Sequence, residues 1–329
     1  MEVGNKLFVG GKYGSSSLQH GGDPKNSLAN KLIEKGFLIA ESMNVATHYL
    51  CLDIKIEELD QANLERIPKE FRVLIVQEPE VVLPINYERK YLELFGVIIH
   101  VGRNPKLHQN SLLWPQAWPK PPIVRQSSER FSTGVALVAG NHLSFIAGEL
   151  YSLRRKCVHK IDNLYVYGRG WNRGLIDKMK VTSINLSELI LFRKGLSRNS
   201  LSCWFKNYEK NVESPDNKLE ILQNFRITLV IENSQEFLSE KLFDAFFAGC
   251  IPVYVGPQVS EYSIPNTLVV QCEPNIRSVV EGIRTAEGMD YQRWQKELDL
   301  WLNSPETKER WSHETYILKL SKILEELIL

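Results

Sequence analysis

The sequence predicts an α/β fold organised as two domains. Three observations indicate this: short apolar runs typical of buried strands alternate with helix-like segments, a proline-rich stretch interrupts the alternation, and 329 residues are enough for about two domains. In open α/β sheets, ligands bind beyond the carboxyl ends of the strands. We therefore expect the functional residues directly after strands.

The first half of the chain has the pattern of one α/β domain. Apolar runs that end in polar loops are typical of buried parallel strands. The strand-like runs are NKLFVGG, FLIAES, HYLCLDI, FRVLIVQEPE and FGVIIHVG, and SLANKLIEKG has helical spacing. Four prolines between Trp114 and Arg130 mark a linker. The first domain is therefore placed at residues 1–128.

The alternation restarts after the linker and predicts a second domain at residues 129–304. A less regular, basic stretch covers residues 170–217. The strand-like runs are GVALVAG, NLYVYGRGW, RITLVIEN, IPVYVGP and TLVVQC, and the helical segments are FIAGELYSLRRKCV, KLEILQNF, SEKLFDAFFA and NIRSVVEGIRTAEG. Residues 305–329 predict a last amphipathic helix, which can pack on either domain.

Composition excludes several classes of protein. The net charge of +1 gives no electrostatic case for nucleic acid, and no stretch approaches the roughly 18 apolar residues of a membrane span. Five cysteines form no C-x-x-C pair, which is typical of reduced cytoplasmic thiols and makes a zinc site unlikely on sequence grounds. We expect a cytoplasmic protein and leave peripheral membrane association and the oligomeric state open.

One helix carries a lysine at an unfavourable position. Ser239 is a good N-cap and Gly249 a natural stop, so Lys241 falls in the first turn, where the helix dipole disfavours a cation. A strong anion at this terminus, such as a diphosphate, explains the lysine. The alternative is that Lys241 reaches solvent or pairs with Glu236 or Asp244.

Polar residues around this helix suit the same ligand. Asn233 and Ser234 follow the strand RITLVI and are placed to orient a nucleotide. Glu240, beside the lysine, can accept hydrogen bonds from ribose hydroxyls. The pattern therefore predicts a nucleotide-diphosphate site.

The segment Phe225–Pro257 resembles the signature of the α1,3/α1,4-fucosyltransferases, glycosyltransferase family 10. It contains E-N-S at Glu232–Ser234, S-E-K in place of the family's T-E-K at Ser239–Lys241, and P-V-x-x-G from Pro252 to Gly256. LYSLRRK followed by LYVYGRGW also looks like the family's first donor-domain helix and strand. The resemblance covers roughly residues 130–275.

The resemblance implies a GT-B type fold, in which two Rossmann-like domains face each other across a cleft. It implies an inverting, metal-independent transfer of fucose from GDP-fucose to a hydroxyl of a glycan. The second domain would bind GDP-fucose and the first domain the glycan. No cofactor is implied besides the donor. No D-x-D triplet occurs. A cytoplasmic bacterial enzyme of polysaccharide biosynthesis is expected. Lys241 would neutralise the diphosphate, Glu240 would bind the ribose and Asn233 the nucleotide or fucose.

Two positions depart from the family pattern. Phe237 stands where the family usually has a donor-contacting tyrosine, and Ala147 where it often has a diphosphate-binding arginine. Arg154 or Arg155 can replace that arginine, and of the two we favour Arg155; Arg169, after the strand LYVYG, is a further donor candidate. The departures leave two alternatives: a transferase for another GDP-sugar, or a weakly catalytic or non-catalytic nucleotide-sugar-binding protein.

Inverting transfer needs a general base for the acceptor hydroxyl. Glu78 follows the strand in FRVLIVQEPE and is our choice; the family carries a comparable glutamate after an N-terminal strand, where it is interpreted as the base. Glu80 and then Glu41 are the alternatives.

Four further residues have ring side chains of interest. Trp114 and Trp118 lie in the proline-rich linker and are candidates for stacking on the acceptor sugar. His100 and His142 lie near strand ends, where a single histidine is more often a packed or capping residue than a functional one.

Overall fold

Two parallel β-sheets organise the chain, one in each of two units. The computed structural model describes residues 6–14, 32–34, 36–60, 64–101, 111–114, 132–192, 196–197, 199–206, 208 and 218–326. The first unit is Met1–Pro119 together with Pro305–Leu329, and the second is Lys120–Ser304. The α/β prediction is confirmed.

The first sheet has the strand order β2-β1-β3-β4-β5-β6, and its pairings are parallel. All five residues of its third strand are buried, as expected for a strand covered on both faces. The strands are β1 (Lys6–Gly10), β2 (Leu38–Ile39), β3 (His48–Leu52), β4 (Arg72–Val76), β5 (Val97–Val101) and β6 (Ser111–Trp114).

The second sheet has the order β11-β10-β9-β7-β8 and is also parallel. Ile231 at the end of β9 lies opposite Val255 at the end of β10, so the residues after both strands share one edge. The strands are β7 (Ser132–Val138), β8 (Leu164–Tyr167), β9 (Phe225–Ile231), β10 (Ile251–Val255) and β11 (Val270–Gln271).

Helices connect and cover the strands. The α-helices are α1 (Arg89–Leu92), α2 (Tyr151–Lys160), α3 (Leu175–Leu191), α4 (Lys218–Leu222), α5 (Glu240–Ala248), α6 (Ile276–Gly288), α7 (Tyr291–Asn303), α8 (Pro305–Trp311) and α9 (His313–Glu326). Short 3-10 helices lie at Met43–Val45, Ile56–Glu58, Lys69–Phe71, Pro84–Tyr87, Val259–Tyr262 and Asn266–Leu268.

Helix α2 begins later than the sequence predicts. The predicted helix starts at Phe145, whereas the observed one starts at Tyr151. Ile146 forms an antiparallel bridge with Leu196, and Gly148 has a φ of 88°, which a right-handed helix does not allow. Residues 145–150 therefore form a loop at the edge of the second sheet.

The C-terminal segment forms two helices in place of the single predicted helix. Ser312 separates α8 from α9, and its Oγ accepts a hydrogen bond from Thr315 N at 3.1 Å, which is the geometry of an N-cap. The segment belongs to the first unit.

Helix α3 occupies the stretch that the sequence describes only as irregular and basic. Its apolar residues surround much of the helix, so they give no single stripe from which its period could be read. Val181 and Leu189 pack against a buried cluster that contains Trp204, and this contact fixes one side of the helix.

Candidate functional site

The loops that follow the strands of the second sheet meet at its carboxyl edge. Asn141, after β7, donates its backbone N–H to Arg169 O, after β8, at 2.9 Å. Glu232, after β9, donates its backbone N–H to the last carbonyl of β10 at 2.9 Å. The predicted donor residues Asn233 and Arg169 therefore lie in loops on the same edge.

Helix α5 begins and ends where its sequence predicts. Ser239 is the N-cap, and its side chain accepts a hydrogen bond from Lys241 N. Gly249 is the C-cap, with a φ of 76° that favours glycine. The first turn of the helix thus lies just beyond the end of β9.

A fully buried carboxylate holds this turn in place. Glu232 has no solvent exposure, and its two oxygens accept hydrogen bonds from Ser239 N at 2.9 Å and Ser239 Oγ at 2.6 Å. Hydrogen bonds to a charged acceptor are about twice as strong as neutral ones. Glu232 therefore fastens the N-cap of α5 to the end of β9, a role that the sequence analysis did not assign.

The same carboxylate explains the position of Lys241. Lys241 Nζ lies 2.9 Å from Ser239 Oγ and 3.6 Å from Glu232 Oε2, and the lysine side chain is partly buried. A buried negative charge at this distance outweighs the unfavourable helix dipole. The observed acidic partner is Glu232, which the alternatives drawn from the sequence, solvent or pairing with Glu236 or Asp244, did not include.

Glu240 is held by a second lysine. Lys218 Nζ lies 3.2 Å from Glu240 Oε1 and 3.7 Å from Asp244 Oδ2. Burial alone would raise the pKa of Glu240, but the ammonium groups of Lys241 and Lys218 outweigh it and lower the pKa to about 2. Glu240 is therefore an acceptor-only carboxylate at neutral pH.

Arg154 holds the end of β9 and the segment that follows it. Its guanidinium is almost fully buried and donates to Ile231 O at 2.6 and 3.0 Å and to Asn233 Oδ1 at 2.8 Å. The bond to Oδ1 fixes the Asn233 amide, and Leu150 N donates to Asn233 O at 3.0 Å. Arg154 is thus one of the two arginines proposed for this region, and it is the one that contacts the E-N-S segment.

Arg155 points to a different part of the unit. Its guanidinium is buried and donates to three backbone carbonyls, those of His142, Ser200 and Ser202. It also lies over the Trp204 ring, 5.4 Å from the ring centre. Arg155 therefore fastens residues 199–206 to α2, and its role at a donor stays a prediction.

The remaining donor candidates occupy the edge in different ways. Arg169 is exposed in the loop after β8, between two glycines with positive φ. Ser234 is buried and forms an isolated backbone bridge with Glu149. Phe237, at the position of the family's tyrosine, is buried, whereas Ala147, at the position of the missing arginine, is exposed in the loop before α2.

The carboxyl edge gathers positive charge. The ring of His142 keeps contact with solvent, yet its desolvation and the charges of Arg154, Arg173 and Lys241 lower its pKa to about 4. His142 is therefore neutral at pH 7. A small pocket in the second unit is lined in part by Lys218 and Lys241.

In the first unit, Glu78 follows β4 as the sequence predicts. Tyr13 Oη donates to Glu78 Oε1 at 3.3 Å, and Tyr87 Oη donates to Glu78 O at 3.1 Å. Glu78 is partly buried. Burial and the charges of Glu78 and Asp53 raise the pKa of Tyr13, so the phenol remains a proton donor.

A second carboxylate, Asp53, supports Glu78. It follows β3 and is fully buried, and its Oδ1 accepts hydrogen bonds from Gln77 N at 2.8 Å, Glu78 N at 3.4 Å and Asn86 Nδ2 at 2.6 Å. Its Oδ2 has no hydrogen-bond partner in the part of the chain that the structure describes. Burial, with the charge of Glu78, raises the pKa of Asp53 to about 7. The sequence signal was an aspartate directly after HYLCL.

The other candidates of the first unit are placed as follows. Glu80 is partly buried two residues beyond Glu78, and Glu41 is exposed after β2. His100 is buried within β5, and burial lowers its pKa to about 4, so it is neutral. Trp114 ends β6, but its side chain and the whole of Trp118 lie outside the described residues.

Within the described residues, no group of three or more His, Cys, Asp and Glu side chains could hold a metal ion. Each of the two edges offers a different set of charged side chains. In the second unit this is a set of lysine and arginine cations around a helix N-terminus, and in the first it is a pair of neighbouring carboxylates.

Comparison with known proteins shows the fold but no family. No protein-family model and no curated protein sequence matches the chain. The chain is similar to the crystal structure of an α1,3-fucosyltransferase with GDP-fucose, with a TM-score of 0.55 at 14% identity, over 98% of this chain and 90% of that one.

Two other solved structures match the chain with a TM-score of 0.55. An α-glucosyltransferase in complex with UDP-glucose and DNA containing an abasic site matches with a TM-score of 0.55 at 8% identity, over 97% of this chain and 98% of that one. Anabaena Alr3699/HepE in complex with UDP and glucose matches with a TM-score of 0.55 at 10% identity, over 98% of this chain and 99% of that one. The chain thus has the GT-B type fold that its sequence predicts.

The buried Asp53 carboxyl makes stability depend on pH. The folded chain keeps a proton at Asp53 up to a pKa of about 7, whereas the unfolded chain releases it near pH ~4. The stability from this group is therefore lost as pH rises from about 4 to about 7, by ~4 kcal/mol at most. We expect Asp53→Asn to flatten the pH dependence of the melting temperature, with exposed Glu41→Gln as control. Identical pH profiles for wild type and Asp53→Asn would contradict the assignment.

Proposed function

We propose that the protein is an inverting, metal-independent glycosyltransferase that moves fucose from GDP-fucose to a hydroxyl of a glycan acceptor. One observation carries this proposal: the E-N-S and S-E-K residues of the signature are hydrogen-bonded to one another at the carboxyl edge of the second sheet. The GT-B type fold supports transfer from a nucleotide sugar, and the choice of fucose rests on the signature residues.

The diphosphate of the donor binds at the first turn of α5. Backbone N–H groups at a helix N-terminus favour anions, and Lys241 adds a full positive charge there. Glu232 and Ser239 hold the ammonium group at this turn, 3.6 and 2.9 Å away. When the bond between fucose and phosphate breaks, negative charge develops on the diphosphate, and the positioned cation stabilises it.

The nucleoside binds beside this turn. Glu240 accepts hydrogen bonds from the ribose hydroxyls, and Lys218 keeps the carboxylate ionised. Asn233, held through its Oδ1 by Arg154, has its amide donors left for the nucleotide or the fucose. Arg154 is our choice for the arginine that replaces the family's arginine at Ala147, because it contacts Asn233 of the signature, whereas the bonds of Arg155 go to carbonyls outside the signature.

Arg169 and Ser234 complete the proposed donor site. The exposed Arg169 side chain, in the loop after β8, supplies a second cation for the phosphates. Ser234 shapes the loop between β9 and α5 through its backbone bridge. Desolvation lowers the pKa of His142, and the cations Arg154, Arg173 and Lys241 lower it further; these cations support anion binding at this edge.

Glu78 is the proposed general base. The acceptor hydroxyl attacks the anomeric carbon of fucose, its proton passes to the Glu78 carboxylate, and GDP leaves with the electron pair of the broken bond. Asp53 and Tyr87 fix the backbone of Glu78, and Tyr13 orients its carboxylate. Trp114 and Trp118 remain proposed acceptor contacts.

A different donor sugar is the second candidate. Two of the similar proteins were solved with UDP-glucose or with UDP and glucose. Phe237 and Ala147, the two departures from the signature, are the residues of this chain that favour it. A non-catalytic nucleotide-sugar-binding protein is the remaining alternative, and the retained Glu78 argues against it.

Calorimetric titration with GDP-fucose, GDP-mannose and UDP-glucose tests the donor site. We expect selective binding of GDP-fucose, weakened about tenfold to a hundredfold in Lys241→Ala because a charge-assisted contact is lost. Lys296→Ala, an exposed lysine on α7, is the matched control and should bind as wild type does. Wild-type affinity in Lys241→Ala would refute the diphosphate assignment.

Loss of Lys241 also leaves Glu232 buried without its cation, and this could disturb α5 by itself. The double variant Lys241→Ala/Glu232→Gln removes both charges and keeps the acceptor oxygen for Ser239. Equal weakening in the single and double variants assigns the loss to the missing ammonium group, whereas recovery in the double variant assigns it to the disturbed helix.

Replacement of the base tests the catalytic assignment. We expect Glu78→Gln to lower kcat for transfer by about 10²–10⁴-fold without weakening GDP-fucose binding, since the carboxylate acts on the acceptor proton. Release of GDP in the presence of a glycan acceptor measures kcat. Glu80→Gln is the matched variant two residues away, and full loss in Glu80→Gln with wild-type kcat in Glu78→Gln would move the base to Glu80.

A further inference from the structure

Helix α3 carries an apolar surface that no described part of the chain covers. Its 17 residues span about 25 Å, and only Lys178 is buried. The apolar residues of α3 that are exposed, from 45% at Leu186 to 71% at Leu191, are Leu175, Ile176, Met179, Ile184, Leu186, Ile190 and Leu191. An exposed apolar patch of this kind is typical of an interaction site.

The segment after α3 extends this surface. Trp204 Nε1 donates to Thr182 Oγ1 at 3.1 Å, and Lys178 Nζ donates to Lys206 O at 3.1 Å, so residues 199–206 lie against the helix. Leu201 and Phe205 in this segment are also at least 45% exposed. The apolar surface is therefore a fixed feature of the second unit.

The same stretch of sequence is strongly basic. Residues 169–206 contain eight Lys or Arg and two Asp or Glu, a net charge of +6, while the whole chain carries +1. Lys180 is exposed on α3 itself, and Lys206 is exposed in the segment that lies against it. Two copies of such a segment repel each other, so the charge disfavours self-association and favours an anionic partner.

We propose that α3 and residues 199–206 form a docking surface for an anionic lipid bilayer. A helix with exposed Leu, Ile and Met and neighbouring basic residues lies in the plane of the membrane interface, with its apolar side chains among the acyl chains and its cations near lipid phosphates. No helix among the described residues is long and apolar enough to cross a membrane. This surface would hold the second unit at a membrane without spanning it.

Sedimentation with lipid vesicles tests the proposal on the full chain. We expect binding to vesicles of phosphatidylcholine mixed with phosphatidylglycerol, much weaker binding to phosphatidylcholine alone, and loss of binding at high salt. Ile176→Glu/Ile190→Glu should weaken binding by at least about tenfold, because two inserted apolar side chains become charged. The matched control is Leu300→Glu/Leu318→Glu, two exposed leucines on α7 and α9.

Circular dichroism and thermal melting check that both double variants fold as wild type does. Three results would overturn the proposal: no binding of wild type to the anionic vesicles, equal binding to both vesicle types, or equal weakening in the two double variants. A dimer of the wild type that Ile176→Glu/Ile190→Glu converts to a monomer, without any vesicle binding, would assign the surface to a second copy of the chain.

Discussion

The buried carboxylate of Glu232 is the constraint on which the proposed donor site depends. A charge with no solvent exposure must be compensated, and Ser239 and Lys241 supply two hydrogen bonds and an ion pair. These contacts fix where α5 begins and hold an ammonium group at its N-terminus. A site that combines the positive end of a helix dipole with a positioned lysine thus follows from one acidic residue after one strand.

Both sheets place charged groups at their carboxyl edges. The second unit gathers Arg154, Arg173 and Lys241 near His142, which suits a leaving diphosphate. The first unit places Asp53 beside Glu78, and burial, together with this like charge, raises the pKa of Asp53. Stabilisation of a leaving anion and removal of a proton are the two tasks of metal-free sugar transfer.

The sequence patterns identified features that depend on neighbouring residues and missed contacts between residues that are far apart along the chain. The α/β alternation and the caps of α5 follow from residues within one element, and they are confirmed. Lys218 lies 22 residues before Glu240, so only the fold reveals their pairing. Neighbouring Arg154 and Arg155 differ only in the direction of their side chains. The predicted start of α2 at Phe145 was wrong, because the bridge between Ile146 and Leu196 outweighs the local helix propensity.

A crystal structure of the protein with GDP-fucose tests whether the diphosphate binds at the first turn of α5. The proposal predicts diphosphate oxygens within ion-pair distance of Lys241 Nζ and hydrogen-bonded to the first turn of α5, with Glu232 still accepting from Ser239. The ribose hydroxyls should contact Glu240. Phosphates bound away from α5, with the Lys241 side chain unchanged, would contradict the proposed diphosphate site.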